Sequence, residues 1–375
     1  MKALLISRTF YPEGVGGGEI SAFHIAQALS EKIEVVVCCL SEKIEHPEIE
    51  NLGKIKIYRY PWNKLKFSKK LSNLDYGYHQ IISATKKVIK KENPTHLHFL
   101  NFQSIFPIAR KFNKYPKFAT INGPLFCEFG SLHPNGKSCY NCTSKERFLL
   151  SFKKWGAKGL LFWIYNRYSQ NLQKSSLKKC DKLFAVSKAI ENMLISGGIS
   201  RNKIKVIHNP VPIKKPSKND LKEKLGISKN KKIIFYAGRL SKDKGVHNTI
   251  EAIKNLNNVI FLIAGKKRDY YYELKKLVKK LNLEKRIIFL GFIDNEKVQE
   301  YFSISDLIVH PCTFYEPLSR MLLEATSHGL PIIASNRGGN PEIIEKDING
   351  FLASNGKELK EKIKLLTTNN KLAKD

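Results

Sequence analysis

The chain has 375 residues, too many for one ordinary hydrophobic core, so two domains are expected. Its 42% apolar and 10% aromatic content are those of a soluble globular protein, and no stretch approaches the roughly 20 apolar residues of a membrane span. The formal charge of +32 implies attraction to polyanions such as nucleic acid, an anionic membrane surface or phosphorylated substrates, or else a Lys-rich background that only solvates the surface. No RNP motif or basic zipper accompanies the charge, which argues against nucleic acid as the partner.

Lys2 opens a short apolar run that ends at Arg8; it reads as a first strand, Ala3–Ser7, and not as a secretory leader, so a cytoplasmic location is expected. A glycine loop, with Gly16, Gly17 and Gly18 at its end, then leads into a helix over Glu19–Leu29. Such glycines let backbone amides approach a diphosphate or an acceptor, or simply form a tight strand-to-helix turn. The loop is not a clean dinucleotide fingerprint, because Glu19 stands where its last glycine belongs, and a carboxylate there argues against a tightly held pyrophosphate. Further strands are expected over Glu34–Leu40, Lys54–Arg59, His96–Leu100, Lys117–Ile121 and Lys182–Val186, with Cys38 and Cys39 in the core.

Cys127, Cys139 and Cys142 follow the fifth of these strands, and the close pair has the spacing of half a zinc knuckle. His133 or Cys180 could supply a fourth ligand to a structural zinc; the alternative is free or redox-active thiols. The stretch Lys145–Tyr168 interleaves cations with large aromatics and holds one acid. That suits a helix lying on an anionic bilayer, or one packing aromatics at an acceptor site.

His208–Ser217 holds three prolines and few apolar residues and reads as a domain linker. Beyond it, strands are expected over Lys232–Ala237, Val259–Ala264, Ile287–Leu290, Leu307–His310 and Pro331–Ser335, and a last helix over Lys357–Thr367. Strands alternating with amphipathic stretches in both halves indicate parallel sheets covered by helices. Arg239 and Lys244 follow the first strand of the second half at its carboxyl end, where open α/β sheets bind ligands. Two cations there suit a diphosphate; the bland reading is two solvated charges.

Glu316 and Glu324 lie eight residues apart after the strand Leu307–His310. With Pro317 at the first helical position, Glu316 would stand at a helix mouth and Glu324 about 11 Å along the same face, at roughly 1.5 Å per residue. The unpaired amides of such a mouth, near Pro317, Leu318 and Ser319, form a ready anion site. Carboxylates on either side of a phosphate site suit a nucleotide sugar; two exposed helix carboxylates are the alternative.

These segments occur in the order found in the GT-B glycosyltransferases, and the chain resembles their retaining family 4, the group 1 glycosyl transferases. The resemblance rests on Phe10–Glu19, Asp181–Ser187, Val206–Pro210, Gly238–Gly245, Glu316–Glu324, Gly329–Ala334 and Gly338–Glu342. It implies two Rossmann-like domains with parallel sheets facing a central cleft: an acceptor-side domain over 1–207 with a Cys-containing insertion at about 123–180, a hinge over 208–217, and a nucleotide-sugar-binding domain over 218–375. It further implies diphosphate binding by Arg239 and Lys244, ribose binding by Glu324, and contact of Glu316 with the donor sugar; that residue is sometimes cast as a nucleophile, and donor-sugar binding with charge stabilisation is the role expected here. A nucleotide-diphosphate sugar is then the co-substrate, no catalytic metal is needed, and the acceptor is a glycan or a lipid-linked molecule.

Two departures stand out. Asn122 occupies the place of a His that many members carry in the cleft, and cannot titrate near neutral pH. His98, at the end of a strand facing that cleft, could touch acceptor or donor, or be a packed histidine. The crossover helix that usually ends the family is expected to be missing or very short. A catalytically silent module of the same fold, a polyanion-binding protein and, more distantly, a nucleotide-sugar epimerase are the other readings.

Overall fold

The computed structural model describes the chain except residues 14–15, 63–77, 124–142, 213–219, 346–347, 370–371 and 373–375. The described residues divide into two units, with the change-over between Pro210 and Val211.

The first unit is built on eight strands: β1 (Lys2–Ile6), β2 (Glu34–Ser41), β3 (Glu48–Leu52), β4 (Ile55–Pro61), β5 (His96–Phe99), β6 (Lys117–Ile121), β7 (Lys182–Ala185) and β8 (Ile204–Val206). Their order across the sheet is β3-β4-β2-β1-β5-β6-β7-β8, and only the β3–β4 pair is antiparallel. The helices are α1 (Gly17–Ser30), α2 (Tyr78–Glu92), α3 (Phe102–Ile108), α4 (Ser144–Trp155), α5 (Lys158–Lys178) and α6 (Lys188–Ser196). Side chains alternate across a strand, so the register Ala3↔Val35↔Ile55 and Leu5↔Val37↔Ile57 puts one apolar set on one face. That set, with Cys39, packs against Ala22 and Ala26 of α1 and against Phe10.

The second unit has α7 (Leu221–Lys224), α8 (Val246–Ala252), α9 (Asp269–Lys280), α10 (Asn295–Ile304), α11 (Arg320–Ser327) and α12 (Gly356–Thr368) around an all-parallel sheet. Its strands are β9 (Lys232–Ala237), β10 (Val259–Ala264), β11 (Ile287–Gly291), β12 (Leu307–His310), β13 (Ile332–Ser335) and β14 (Gly350–Ala353), in the order β11-β10-β9-β12-β13-β14. The interior strand β10, Val-Ile-Phe-Leu-Ile-Ala, is buried along its whole length, as a strand covered on both faces must be.

In each sheet the chain runs outward from one strand, returns, and runs outward the other way. The reversal falls between β1 and β5 in the first sheet and between β9 and β12 in the second. Beyond the carboxyl ends of such a pair the connecting loops part and leave a crevice, the usual ligand position of open α/β sheets.

Three strands are additional to those read from the sequence: β3, β8 and β14. All lie at or next to sheet edges and are short. β3, Glu-Ile-Glu-Asn-Leu, is exposed throughout and carries charges that discourage further pairing, so it has no apolar pattern to read. No helix among the described residues is long and apolar enough to cross a membrane.

Candidate active site

The crevice of the second sheet is walled by the loops leaving β9 and β12. The β9 loop runs through Gly238 and Arg239 into a short 3₁₀ turn, Lys242–Lys244, and ends at Gly245. Gly245 has φ +68°, and a Cβ there would overlap the Pro311 carbonyl, so only glycine lets the two loops touch. Beside this contact the Thr313 amide donates to the Asp243 carbonyl at 2.8 Å. The lacing brings Lys244 to Glu316: Nζ and Oε2 are 2.7 Å apart, with side chains 17% and 10% exposed. The ammonium also lies over the Phe314 ring, 4.5 Å from its centroid.

A third loop fixes the backbone of Glu316. The Gly339 amide donates to the Glu316 carbonyl at 2.7 Å. Gly338, at φ +60°, lies so close that a Cβ would overlap the Glu316 carbonyl. The Gly338–Gly339 pair thus sets the height of Glu316 above the sheet.

The helix after Glu316 begins later than its proline suggests. α11 starts at Arg320 with Ser319 as N-cap, so Pro317 is not the first helical residue and Glu316 belongs to the loop. The eight-step, one-face relation of Glu316 to Glu324 therefore does not hold; the loops of β9 and β13 position Glu316 instead. Leu318 and Ser319 are buried in the approach to the helix. The first amides of α11 have no intrahelical partner, as at any helix start, and the Ala237 amide at the end of β9 lies 3.1 Å from Met321 Sδ. The helix mouth thus abuts the β9 side of the crevice. Glu324 lies in the second turn, buried, with Oε1 2.6 Å from Arg320 Nη2.

Arg239 is 54% exposed and pairs with Asp243 at 2.9 Å. Beneath it, Tyr236 is buried and donates its hydroxyl to the Arg239 carbonyl at 3.0 Å. Burial, with the Glu316 carboxylate as a further cause, holds that hydroxyl well above the usual tyrosine range, so it remains a donor.

Two side chains under Glu316 carried no signal in the sequence beyond their place at a strand end. His310 is buried with Nε2 3.3 Å from Glu316 Oε2. Desolvation, then the charge of Lys244, pushes its pKa down to about 3, so the imidazole is neutral and this contact is not an ion pair. Cys312 Sγ lies 2.8 Å from Ser335 Oγ and accepts from Asn340 Nδ2 at 3.4 Å. Burial pushes its thiol up to about 11. Asp243 and Arg320 were also missed, although the i,i+4 spacing of Arg239–Asp243 and Arg320–Glu324 would have found both.

In the first unit, Gly16 is the N-cap of α1 and Gly17 and Gly18 open the helix. The preceding turn is anchored by buried Arg59 of β4, which donates to the Tyr11 carbonyl at 2.6 Å. His98 is a packed histidine: Nε2 lies 2.8 Å from Thr120 Oγ1, the ring meets Phe184 edge-on, and burial lowers its pKa to about 4. Asn122 accepts from Asn209 Nδ2 at 2.9 Å and donates to the Leu100 carbonyl at 3.3 Å, joining the ends of β6 and β8 through side chains. Cys180 is fully buried, with its thiol raised to about 12 by desolvation. Its proposed co-ligands Cys127, Cys139 and Cys142, and His133, lie outside the described residues.

Two doubly wound α/β sheets in one chain, each with its own switch point, are the architecture of the GT-B fold. The model of Glycosyltransferase Family 4 matches residues 15–215, more than half of the chain, and that of Glycosyl transferases group 1 matches residues 217–375. The chain belongs to glycosyltransferase family 4.

Among relatives, the spore coat protein SA of Bacillus subtilis is 30% identical over 233 residues, 56% of this chain and 62% of that protein. An Escherichia coli UDP-Gal:alpha-D-GlcNAc-diphosphoundecaprenol alpha-1,3-galactosyltransferase is 35% identical over 164 residues, 40% of this chain and 41% of that protein. The chain thus spans less than two thirds of the length of both. Among solved structures, Anabaena HepE in complex with UDP aligns over 100% of this chain and 93% of its own, at TM-score 0.72 and 20% identity. Sucrose-phosphate synthase from Thermosynechococcus elongatus covers 100% and 91%, at TM-score 0.78 and 17% identity.

Proposed function

We propose that this chain transfers a sugar from a nucleoside-diphosphate sugar to a hydroxyl of a glycan or lipid-linked acceptor, with retention of anomeric configuration. The observation that carries the reading is the Lys244–Glu316 pair, held at 2.7 Å at the crevice of the second sheet beside the mouth of α11. The second unit takes the donor. Its diphosphate meets Lys244, Arg239 and the first amides of α11, Glu324 accepts from the ribose hydroxyls, and Glu316 accepts from a hydroxyl of the sugar.

As the bond between the anomeric carbon and the diphosphate oxygen breaks, negative charge grows on the diphosphate. Lys244 and Arg239 stabilise that charge, the task that a metal ion performs in other transferases, so no catalytic metal is required. The acceptor oxygen bonds to the anomeric carbon on the face that the diphosphate leaves, and its proton passes to the departing phosphate oxygen. Glu316 forms no covalent bond to the sugar. It orients the donor and stabilises the positive charge that develops on the ring. The UDP complexes of HepE and the galactosyltransferase relative favour a uridine donor.

The first unit presents the acceptor, with Gly16–Gly18 and Asn122 on the carboxyl side of its sheet. A lipid-linked acceptor is favoured by the α4–α5 hairpin. Leu160, Ile164 and Tyr168, spaced i, i+4, i+8 on α5, are 46%, 51% and 64% exposed, and Leu149 and Phe152 of α4 are 55% and 52% exposed. Exposed Lys145, Lys153, Lys158 and Arg167 lie on the same two helices, a composition suited to an anionic bilayer.

The test is transfer to a hydroxyl acceptor from a panel of nucleoside-diphosphate sugars, with the product followed by proton NMR. The proposal expects the donor's anomeric configuration in the product. An inverted product overturns the mechanism, and neither transfer nor donor hydrolysis with any sugar favours the silent module.

A further inference from the structure

We propose that His310, Cys312 and Glu316 form a reversible site for a divalent transition ion of the zinc class, and that this ion and the nucleotide sugar exclude one another. The exclusion rests on the donor site proposed above; the ion site itself does not.

The three side chains are buried, and an imidazole nitrogen, a thiol sulfur and a carboxylate oxygen lie within 4.8 Å of one another. Nitrogen and oxygen ligands bind zinc at about 2.0–2.2 Å, so two of them on a tetrahedral ion stand about 3.3 Å apart. His310 Nε2 and Glu316 Oε2 are 3.3 Å apart. That contact is not directed as a hydrogen bond, and neither His310 ring nitrogen has a hydrogen-bond partner among the described residues. A buried imidazole left so is costly, and an ion on Nε2 removes part of the cost.

The sulfur has the surroundings of a thiolate ligand. Asn340, itself fully buried, donates Nδ2–H to Cys312 Sγ, and the Ser335 hydroxyl lies at 2.8 Å. Such outer groups orient a ligand and stabilise its charged form. The carboxylate already holds a cation, because the Lys244 ammonium lies 2.7 Å from the oxygen that faces His310.

A divalent ion would take that place, releasing the Lys244 ammonium toward solvent and the Cys312 proton to bulk water. A water molecule completes four-coordination. Glu316 and Lys244 are then both withdrawn from the donor, and a bound donor in turn keeps the ion out.

The test uses Co(II) as a spectroscopic probe on the full chain, with Cys127, Cys139 and Cys142 changed to Ser so that those thiols cannot contribute. One equivalent of Co(II) should give a thiolate-to-cobalt charge-transfer band in the near ultraviolet and intense tetrahedral bands in the visible, both erased by Zn(II). Cys312→Ser should abolish the charge-transfer band, and His310→Gln should weaken Co(II) binding by roughly 10–100-fold or more. Circular dichroism of each variant checks that it is folded, and His310→Asn serves if His310→Gln is not. A UDP-sugar should raise the apparent Co(II) dissociation constant by the factor 1 + L/Kd, with L its free concentration, Kd its own dissociation constant and free Co(II) corrected for what the diphosphate binds in solution.

Absence of a charge-transfer band, or an unchanged band and affinity in the folded variants, overturns the site. A band that the UDP-sugar leaves unaffected, in protein shown by metal-free calorimetry to bind that UDP-sugar, overturns the exclusion. Failure of every UDP-sugar to bind metal-free protein counts against the donor reading alone, because the cobalt spectrum is read without it.

Discussion

The ammonium of Lys244 lies 2.7 Å from Glu316 Oε2, although 72 residues separate them in the chain. They arrive from loops on either side of the strand-order reversal of the second sheet. The pair neutralises each partner before any substrate arrives, so one charge cannot be removed without unbalancing the other. A double-mutant cycle with Lys244→Met and Glu316→Gln, scored by chemical denaturation, should show a coupling of about 0.5–3 kcal/mol. Strictly additive effects would mean that the contact contributes nothing.

Gly338 has no side chain to offer a donor, yet it sets the backbone of Glu316. Gly338→Ala forces that backbone to move, and φ +60° adds strain of about 1–3 kcal/mol for a side chain. The turnover number should fall about 100-fold, while affinity for a nucleoside diphosphate lacking the sugar stays within about threefold. Steady-state kinetics with calorimetry checks this, and normal turnover in Gly338→Ala would show that the height of Glu316 is immaterial.

At the opposite end of the first sheet, Glu92 accepts from Lys2 at 2.9 Å, from Lys56 at 2.6 Å and from the Tyr58 hydroxyl. Burial alone would raise its pKa, but the hydrogen bonds from Lys56, Tyr58 and Lys2 outweigh it and hold the carboxyl at about 2. A depressed carboxyl stabilises the fold fully above its ordinary pKa, and the stabilisation is lost as pH falls through the folded value. Melting temperatures should therefore decline between about pH 5 and pH 2. Glu92→Gln should melt lower at pH 7 and show a shallower decline; an equally steep decline would assign the acid sensitivity elsewhere.

The exposed face of α5 should bind anionic bilayers through both charge and apolar contact. Wild-type protein should sediment with vesicles rich in phosphatidylglycerol and not with neutral ones. Leu160→Glu with Ile164→Glu should abolish sedimentation while leaving donor hydrolysis unchanged. Equal sedimentation of this variant would reduce the contact to diffuse attraction by the +32 charge.

The strands of both sheets were legible because buried parallel strands are unbroken apolar runs such as Val259–Ala264, whereas β3 is exposed along its length and β8 and β14, of three and four residues, are too short to leave such a trace. Glu316, Glu324, Arg239 and Lys244 were legible from their order along the chain. Their partners were less so. Local pairing by Asp243 and Arg320 could have been read from i,i+4 spacing. The clamp on Glu316 by Gly338 and the stacking of His310 beneath it depend on which strands neighbour each other, which spacing does not record. Pro317 misled because a proline fits a helix start, but it fits an extended loop equally well, and tertiary contacts to the β9 and β13 loops decided between the two.

The central claim is that the crevice of the second sheet binds a nucleotide sugar. Calorimetric titration of UDP and UDP-sugars into the wild type, Arg239→Ala and Glu324→Gln tests it most directly. The account predicts saturable one-to-one binding to the wild type, weakened about tenfold or more in each variant, because each loses a charge-assisted hydrogen bond of about 1.5–3 kcal/mol. With the 2′-deoxy nucleotide, the Glu324→Gln penalty should shrink. Unchanged affinity in both variants, or no binding of any nucleotide sugar to the wild type, would contradict it.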